Sequence, residues 1–361
     1  MTSNDDDAGL TGSPPALQLF GHEAERQFLQ RQLAGGHLPH ALLFEGEQGI
    51  GKASLAFHLA YQILAGQGHK AAPATALWQE PAAACPIWRK MLQDAHPGLL
   101  YIRRGRDPKS RNLRTAITVD DIRRVSRFLQ QTAADNGWRI VLVDSADDMN
   151  RNAANALLKT LEEPPAKALF ILIAHQAGRL LPTIRSRCRR MRFKPLPDKL
   201  MRAALPAVAA ALGKDNAAAP DDRLIALAAG SMGRALLLLS ADGVTIINAA
   251  ADVLDKAVFP APQAQNLADR LSRRDNAAAC AVIFRYLLDY IYKKSFLAAQ
   301  AGHLARAAAL AEFSRRQEQA IQEMLAFNLD KKQFILVLLQ QIHGFLRSPA
   351  AQGHKYDDKT A

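Results

Sequence analysis

The chain has 361 residues, 49% of them hydrophobic and 22% charged, with a net charge of +12. That length suits two or three domains with sizeable cores, and the even mixing of apolar and charged residues excludes a wholly disordered chain. No apolar run approaches a membrane span, the first residues are acidic at Asp5, Asp6 and Asp7, and three dispersed cysteines (Cys85, Cys188, Cys280) can build neither a disulfide framework nor a four-cysteine zinc site.

These features point to the cytoplasm with no membrane contact. The basic excess favours a polyanionic partner, although an ordinary basic surface reads the same way.

In chain order, residues 41–44 form a short apolar run that predicts a buried strand. Gly46, Gly49 and Gly51 then punctuate a tight loop, and Leu55, Leu59 and Ile63 recur at helical spacing over residues 52–64. Residues 66–86, rich in Ala, Pro and Gly, read as a loop or an eroded insertion. A second strand is predicted at 99–102, and residues 103–114 carry six basic side chains in a solvated loop. Thr118 with Asp121 predicts an N-cap for a helix over 122–131. Residues 139–143 predict a third strand ending at Asp144, and residues 152–162 a helix stopped by Pro164 and Pro165. Residues 168–173 and 190–193 predict two more strands. Beyond Pro195 only helical patterns follow, from 198 to 239 and from 249 to 345. Strands alternating with helices imply a parallel sheet covered on both faces.

Gly46-Glu-Gln-Gly-Ile-Gly-Lys-Ala-Ser54 nearly fits the phosphate-binding P-loop. Glycines there let backbone N–H groups face phosphate oxygens, and the following helix offers its positive end. Lys52 would neutralise phosphate charge. The hydroxyl that should ligate magnesium is replaced by Ala53, and Ser54 lies one helical step, about 100°, away. The plainer alternative is a strand-to-helix turn that binds nothing. A P-loop hydrolase also needs an acid at the end of a second strand and an acid beside it to activate water. Asp144 supplies the first, but the next position is Ser145, a poor base.

Three segments then carry a specific likeness: residues 144–150, the run Asn155-Ala-Leu-Leu-Lys-Thr-Leu-Glu-Glu-Pro-Pro165, and Thr183-Ile-Arg-Ser-Arg-Cys188. Together with the P-loop, in this order, the chain resembles the bacterial clamp-loader ATPases, the gamma/tau and delta-prime subunits of DNA polymerase III. The likeness runs from about residue 19 to 343 and is weak between 66 and 85.

The resemblance implies a P-loop AAA+-type parallel sheet flanked by helices, then a small helical domain and a C-terminal helical collar. The expected boundaries are a disordered tip at 1–16, the P-loop domain at 17–196, a helical lid at 197–243, an oligomerisation domain at 244–347 and a flexible tail at 348–361.

By the same resemblance Arg187 is an arginine finger that reaches a neighbour's ATP. The candidate nucleotide contacts are Gly46, Gly49, Gly51, Lys52, Ser54, Asp144 and the second-sensor position Arg234. The first-sensor position falls at Ala174-His175, where family ATPases carry Thr or Asn. ATP or ADP with magnesium is expected at a weak or vestigial site, with no zinc, since only Cys85 remains where relatives insert a zinc module. Losing the hydroxyl at 53 and the acid at 145 while keeping Arg187 is similar to the delta-prime type.

The implied partners are gamma/tau and delta subunits in a hetero-oligomer, the sliding clamp, and primer-template DNA, with residues 103–114, Arg151 and Lys159 as candidate DNA contacts. No autonomous ATPase activity is expected of a subunit of a DNA-directed DNA polymerase complex. The rival readings are a self-contained AAA+ ATPase of the gamma/tau or helicase type, and a DNA-binding scaffold with a vestigial loop.

Overall fold

The computed structural model describes residues 19–66, 78, 80–82, 84–106, 114–130, 137–211, 221–273, 276–327 and 329–348. The expected tip at 1–16, the tail beyond 348, residues 107–113 of the basic loop and most of the 66–86 stretch lie outside the described residues. The chain divides into two compact units, one over Pro14–Ala235 and one from Leu236 onward.

The first unit contains α1 (Glu23–Ala34), β1 (Ala41–Glu45), α2 (Lys52–Ala65), α3 (Pro86–Leu92), β2 (Leu99–Ile102), α4 (Val119–Gln130), β3 (Arg139–Asp144), α5 (Arg151–Glu162), β4 (Ala168–Ala174), α6 (Pro182–Arg187), β5 (Arg189–Arg192), α7 (Asp198–Ala211) and α8 (Asp222–Ala228). It also holds the start of α9 (Met232–Ser240).

The five strands form one parallel sheet in the order β2-β3-β4-β1-β5. Both faces are buried, and the period-2 alternation of a strand divides its residues between two cores. Leu42, Phe44, Ile140, Leu142, Leu169 and Ile171 face the core under α2 and α3. Leu43, Val141, Val143, Phe170 and Leu172 face the core under α4, α5 and α6. Continuous apolar runs are what strands buried on both faces require, which is why the sequence showed them so plainly.

Local chemistry sets the helix starts. Thr118 donates from its N–H (2.9 Å) and its hydroxyl (2.8 Å) to the Asp121 carboxylate, and Asn150 accepts from the Ala153 N–H at 2.8 Å. With Thr118 as cap, α4 begins at Val119, three residues before the expected start. The last strand falls at Arg189–Arg192, one residue earlier than expected, because Arg189 to Arg192 pair with Leu42 to Glu45. α1, α3 and the short α6 were not anticipated; α3 has seven residues and α6 six, too few for a periodic signal.

The second unit holds α10 (Gly243–Asp255), α11 (Ala261–Leu271), α12 (Ala277–Gln300), α13 (Leu304–Phe327) and α14 (Lys331–Arg347) around a core that includes Val253, Leu267, Ile283, Leu287, Met324 and Leu338. Asp330 caps α14 by accepting from the Gln333 N–H at 2.7 Å. Among the described residues no single helix is long and apolar enough to cross a membrane. The pair α9 and α10 passes that test only jointly and is bent by 86°.

Candidate functional site

In a parallel sheet the loops that leave the C-terminal ends of the strands gather at one edge. Here the loops after β1, β3 and β4 do so. The Gly46 N–H donates to the Ala174 carbonyl (3.3 Å), and Asp147 after β3 accepts from the N–H groups of His175 and Gln176 after β4, at 3.1 and 2.7 Å.

The glycine loop has a positive φ at Gly46 (152°), Gly49 (78°) and Gly51 (105°), a backbone path that side-chain-bearing residues rarely take. All five carbonyls from Gly46 to Ile50 have protein donors. Lys52 Nζ donates to those of Gly46 (2.6 Å) and Glu47 (2.5 Å). The Ser231 hydroxyl donates to Gln48 (2.8 Å), the Gly233 N–H to Gly49 (2.9 Å) and His22 Nε2 to Ile50 (2.7 Å).

A trans peptide sets its N–H opposite its carbonyl. The N–H groups of residues 49–51 therefore turn away from Ser231, Gly233 and His22, as a phosphate cradle requires. Lys52 is only 2% exposed, and burial pushes its pKa down to about 8 against the opposing pull of Asp144, Asp147 and Glu47. Two of its three ammonium hydrogens serve the loop and one remains.

Asp144 ends β3 beside this loop. Burial pushes its carboxyl up, while the Tyr101 hydroxyl (3.0 Å) and the Lys52 charge pull it down. The Ser145 hydroxyl is 3.4 Å from the same carboxylate. The two further acids of this turn are occupied. Asp147 clamps the turn after β4 at His175, the expected first-sensor position, and Asp148 pairs with Arg104 at 3.0 Å. No local sequence pattern assigns either role, because the partners lie far along the chain.

The residues present fit a phosphate group: a glycine cradle, Lys52 and the N-terminal end of α2. They do not fit a hydrolytic metal. Ala53 packs against the core and has no side-chain oxygen to offer, and Ser54 is half-buried one residue on. Among the described residues no three His, Cys, Asp or Glu side chains gather as a metal set. Cys85 lies 3.6 Å from the Tyr61 hydroxyl, and Cys188 and Cys280 are buried.

The expected second-sensor segment lies directly on the P-loop. The Gly230–Arg234 turn supplies the two donors, Ser231 and Gly233, that hold Gln48 and Gly49, and Arg234 is half-buried in the first turn of α9. At the base of the loop, buried Glu45 is held by Arg190 of β5 through two bonds of 2.6 and 3.0 Å.

Arg187 is not part of this cluster. It ends α6 just before β5, whose Arg189 pairs with Leu42 and whose Arg192 pairs with Glu45. Arg187 therefore stands level with the start of β1, while the P-loop leaves the end of that strand. Five strand residues, roughly 15 Å, separate the two levels. Its exposed guanidinium donates to the Thr183 carbonyl (3.0 Å) and pairs with Glu162 (2.7 Å). Arg151 and Lys159 are exposed on α5. In the basic loop, Arg103 pairs with Asp94 (3.2 Å) and Arg114 lies 3.9 Å from Asp121, so the described part is laced with ion pairs and is not a bare positive strip.

Residues 21–197 match the family model described as DNA polymerase III, delta subunit. DNA polymerase III subunit delta' of Pseudomonas aeruginosa is 39% identical over 212 residues, 57% of this chain and 58% of that protein. DNA polymerase III subunit gamma/tau of Mycobacterium bovis is 31% identical over 188 residues, 52% of this chain and 30% of that protein. The chain thus spans less than two thirds of the length of each of these relatives. A crystal structure of a DNA polymerase III gamma subunit-related protein from Thermotoga maritima superposes with a TM-score of 0.39 at 18% identity, covering 89% of this chain and 100% of that one. Over residues 21–197, within its N-terminal unit, the chain is similar to the delta-prime subunits of DNA polymerase III, and gamma/tau subunits match as well.

Proposed function

We propose that this protein is a non-hydrolysing clamp-loader subunit of the delta-prime type. It assembles in the cytoplasm with gamma/tau and delta subunits, lends Arg187 to ATP held by a neighbouring gamma/tau subunit, and helps place the sliding clamp on primer-template DNA. The observation that carries this reading is the position of Arg187 on the sheet edge opposite its own P-loop. From there it cannot serve a phosphate in its own cradle, and it is exposed to a neighbour. A planar, permanently charged guanidinium is suited to charge on a transferring phosphoryl group.

The loop's own chemistry supports the non-hydrolysing half. Nucleotide, ATP or ADP, would lie against the N–H groups of residues 49–51 and Lys52. With no hydroxyl at Ala53 and no acid at Ser145, neither a metal nor an attacking water finds its usual partner. Such a nucleotide would be a structural ligand. Exposed Arg151 and Lys159 on α5 offer phosphate contacts of the sequence-independent, salt-sensitive kind.

The test is reconstitution with gamma/tau and delta subunits and a clamp-loading assay. Arg187→Ala should lower the DNA-stimulated ATPase of the assembly by 10³-fold or somewhat less, the lower end of what a trans arginine contributes, with assembly retained. An unchanged rate would remove the finger. Steady-state ATPase by the isolated chain, abolished by Lys52→Ala, would overturn the non-hydrolysing reading.

A further inference from the structure

The Arg187 side chain does not project from the molecule. It folds back along α6, where one terminal nitrogen donates to the Thr183 carbonyl four residues earlier and the other meets the Glu162 carboxylate at 2.7 Å. Glu162 is the last residue of α5 and lies in the Leu-Leu-Lys-Thr-Leu-Glu-Glu-Pro-Pro run. The two side chains are 36% and 48% exposed, so the pair is lapped by solvent and can open at small cost. Two of the five guanidinium hydrogens are used, and the charge is balanced by a carboxylate on the same chain.

We infer that Glu162 parks Arg187 in the free subunit and competes for it with the phosphate of the neighbouring site. This rests on the trans-acting role proposed above. A guanidinium paired to a carboxylate lends less charge to a phosphoryl group than a bare one, and its folded-back geometry shortens its reach. Engagement of a neighbour's nucleotide therefore exchanges one anionic partner for another. Glu162 acts through Arg187 and is a positioning residue.

Glu162→Gln keeps the size and an acceptor but removes the competing charge. In the reconstituted assembly it should raise the basal ATPase about two- to five-fold, the scale an exposed ion pair allows. The gain should shrink as salt rises and screens the pair. Glu162→Asp, which keeps the charge, should stay near the parent rate. Thermal melting of each isolated variant checks that the fold is intact, as Glu162 is at a helix end on the surface. An unchanged or lower rate for Glu162→Gln, with Arg187→Ala still strongly impaired, would overturn the parking role and leave the finger standing. A parent-like Arg187→Ala would remove the finger itself.

Discussion

Lys52 carries a positive charge in a nearly closed pocket, and its proton reports on that pocket. Its pKa falls from 10.5 in an open chain to about 8 in the fold, chiefly through burial. Between those values the unfolded chain holds a proton that the folded chain has released, so stability rises with pH across that window. Below pH 8 both states are protonated, and the cost of burying the ammonium is present in full. Lys52→Met removes the titrating group. The stability of this variant relative to the parent should therefore fall as pH rises from 8 towards 10.5, by up to about 3 kcal/mol at 1.36 kcal/mol per unit. Paired urea unfolding curves at several pH values measure it. The variant also leaves the Gly46 and Glu47 carbonyls without their donor, but that loss does not produce this slope. A difference independent of pH would mean that the ammonium is hydrated in the fold.

At the scale of elements, the P-loop is as much a joint as a cradle. Gly49 has φ 78°, and a Cβ there would lie 2.5 Å from the Ser231 hydroxyl oxygen and 3.2 Å from Gly233 Cα. Gly36 has a similar φ, 69°, with no atom within 4 Å of its would-be Cβ. Gly36→Ala should cost about 1 kcal/mol for the left-handed backbone alone. Gly49→Ala should cost roughly 3 kcal/mol, because strain and overpacking add. Equal losses in thermal or denaturant unfolding would show that the turn does not sit on the loop. The sequence made the loop legible because its glycines obey a local backbone rule, and β1, β3 and β4 were legible because strands buried on both faces need unbroken apolar runs. The contacts that complete the site were not legible. Ser231 meets Gln48 across 183 positions, and Asp147 meets His175 across 28. Nothing in a local pattern distinguishes such a serine or aspartate from one on the surface. Glu162 was in view as part of a recognised run, yet its pairing with Arg187 depends on α5 and α6 ending side by side.

At the scale of the whole molecule, the second unit exposes apolar side chains that a partner could cover. α12 and α13 each have 24 residues, about 36 Å of helix at 1.5 Å per residue, and run antiparallel through a tight turn at Ala301–His303. Around that turn Phe296 (51% exposed), Leu297 and Leu304 (71% exposed) face solvent, with Tyr292 one turn back. Scattered apolar residues are ordinary on a surface, but exposed aromatic and aliphatic side chains this close in sequence at one end of a hairpin are a candidate contact. Each such side chain gains about 1.5–3 kcal/mol when fully covered. The proposed occupant is the helical region of a neighbouring gamma/tau or delta subunit. Replacing Phe296 and Leu304 together by Asp should abolish co-elution with those subunits on size-exclusion chromatography. The melting temperature of the isolated chain should hold, because neither side chain is in the core. Val258, 81% exposed in the turn between α10 and α11, is the control. Val258→Asp should leave assembly intact. Co-elution of the double variant at the parent's yield would show that this end of the hairpin faces water in the assembly too.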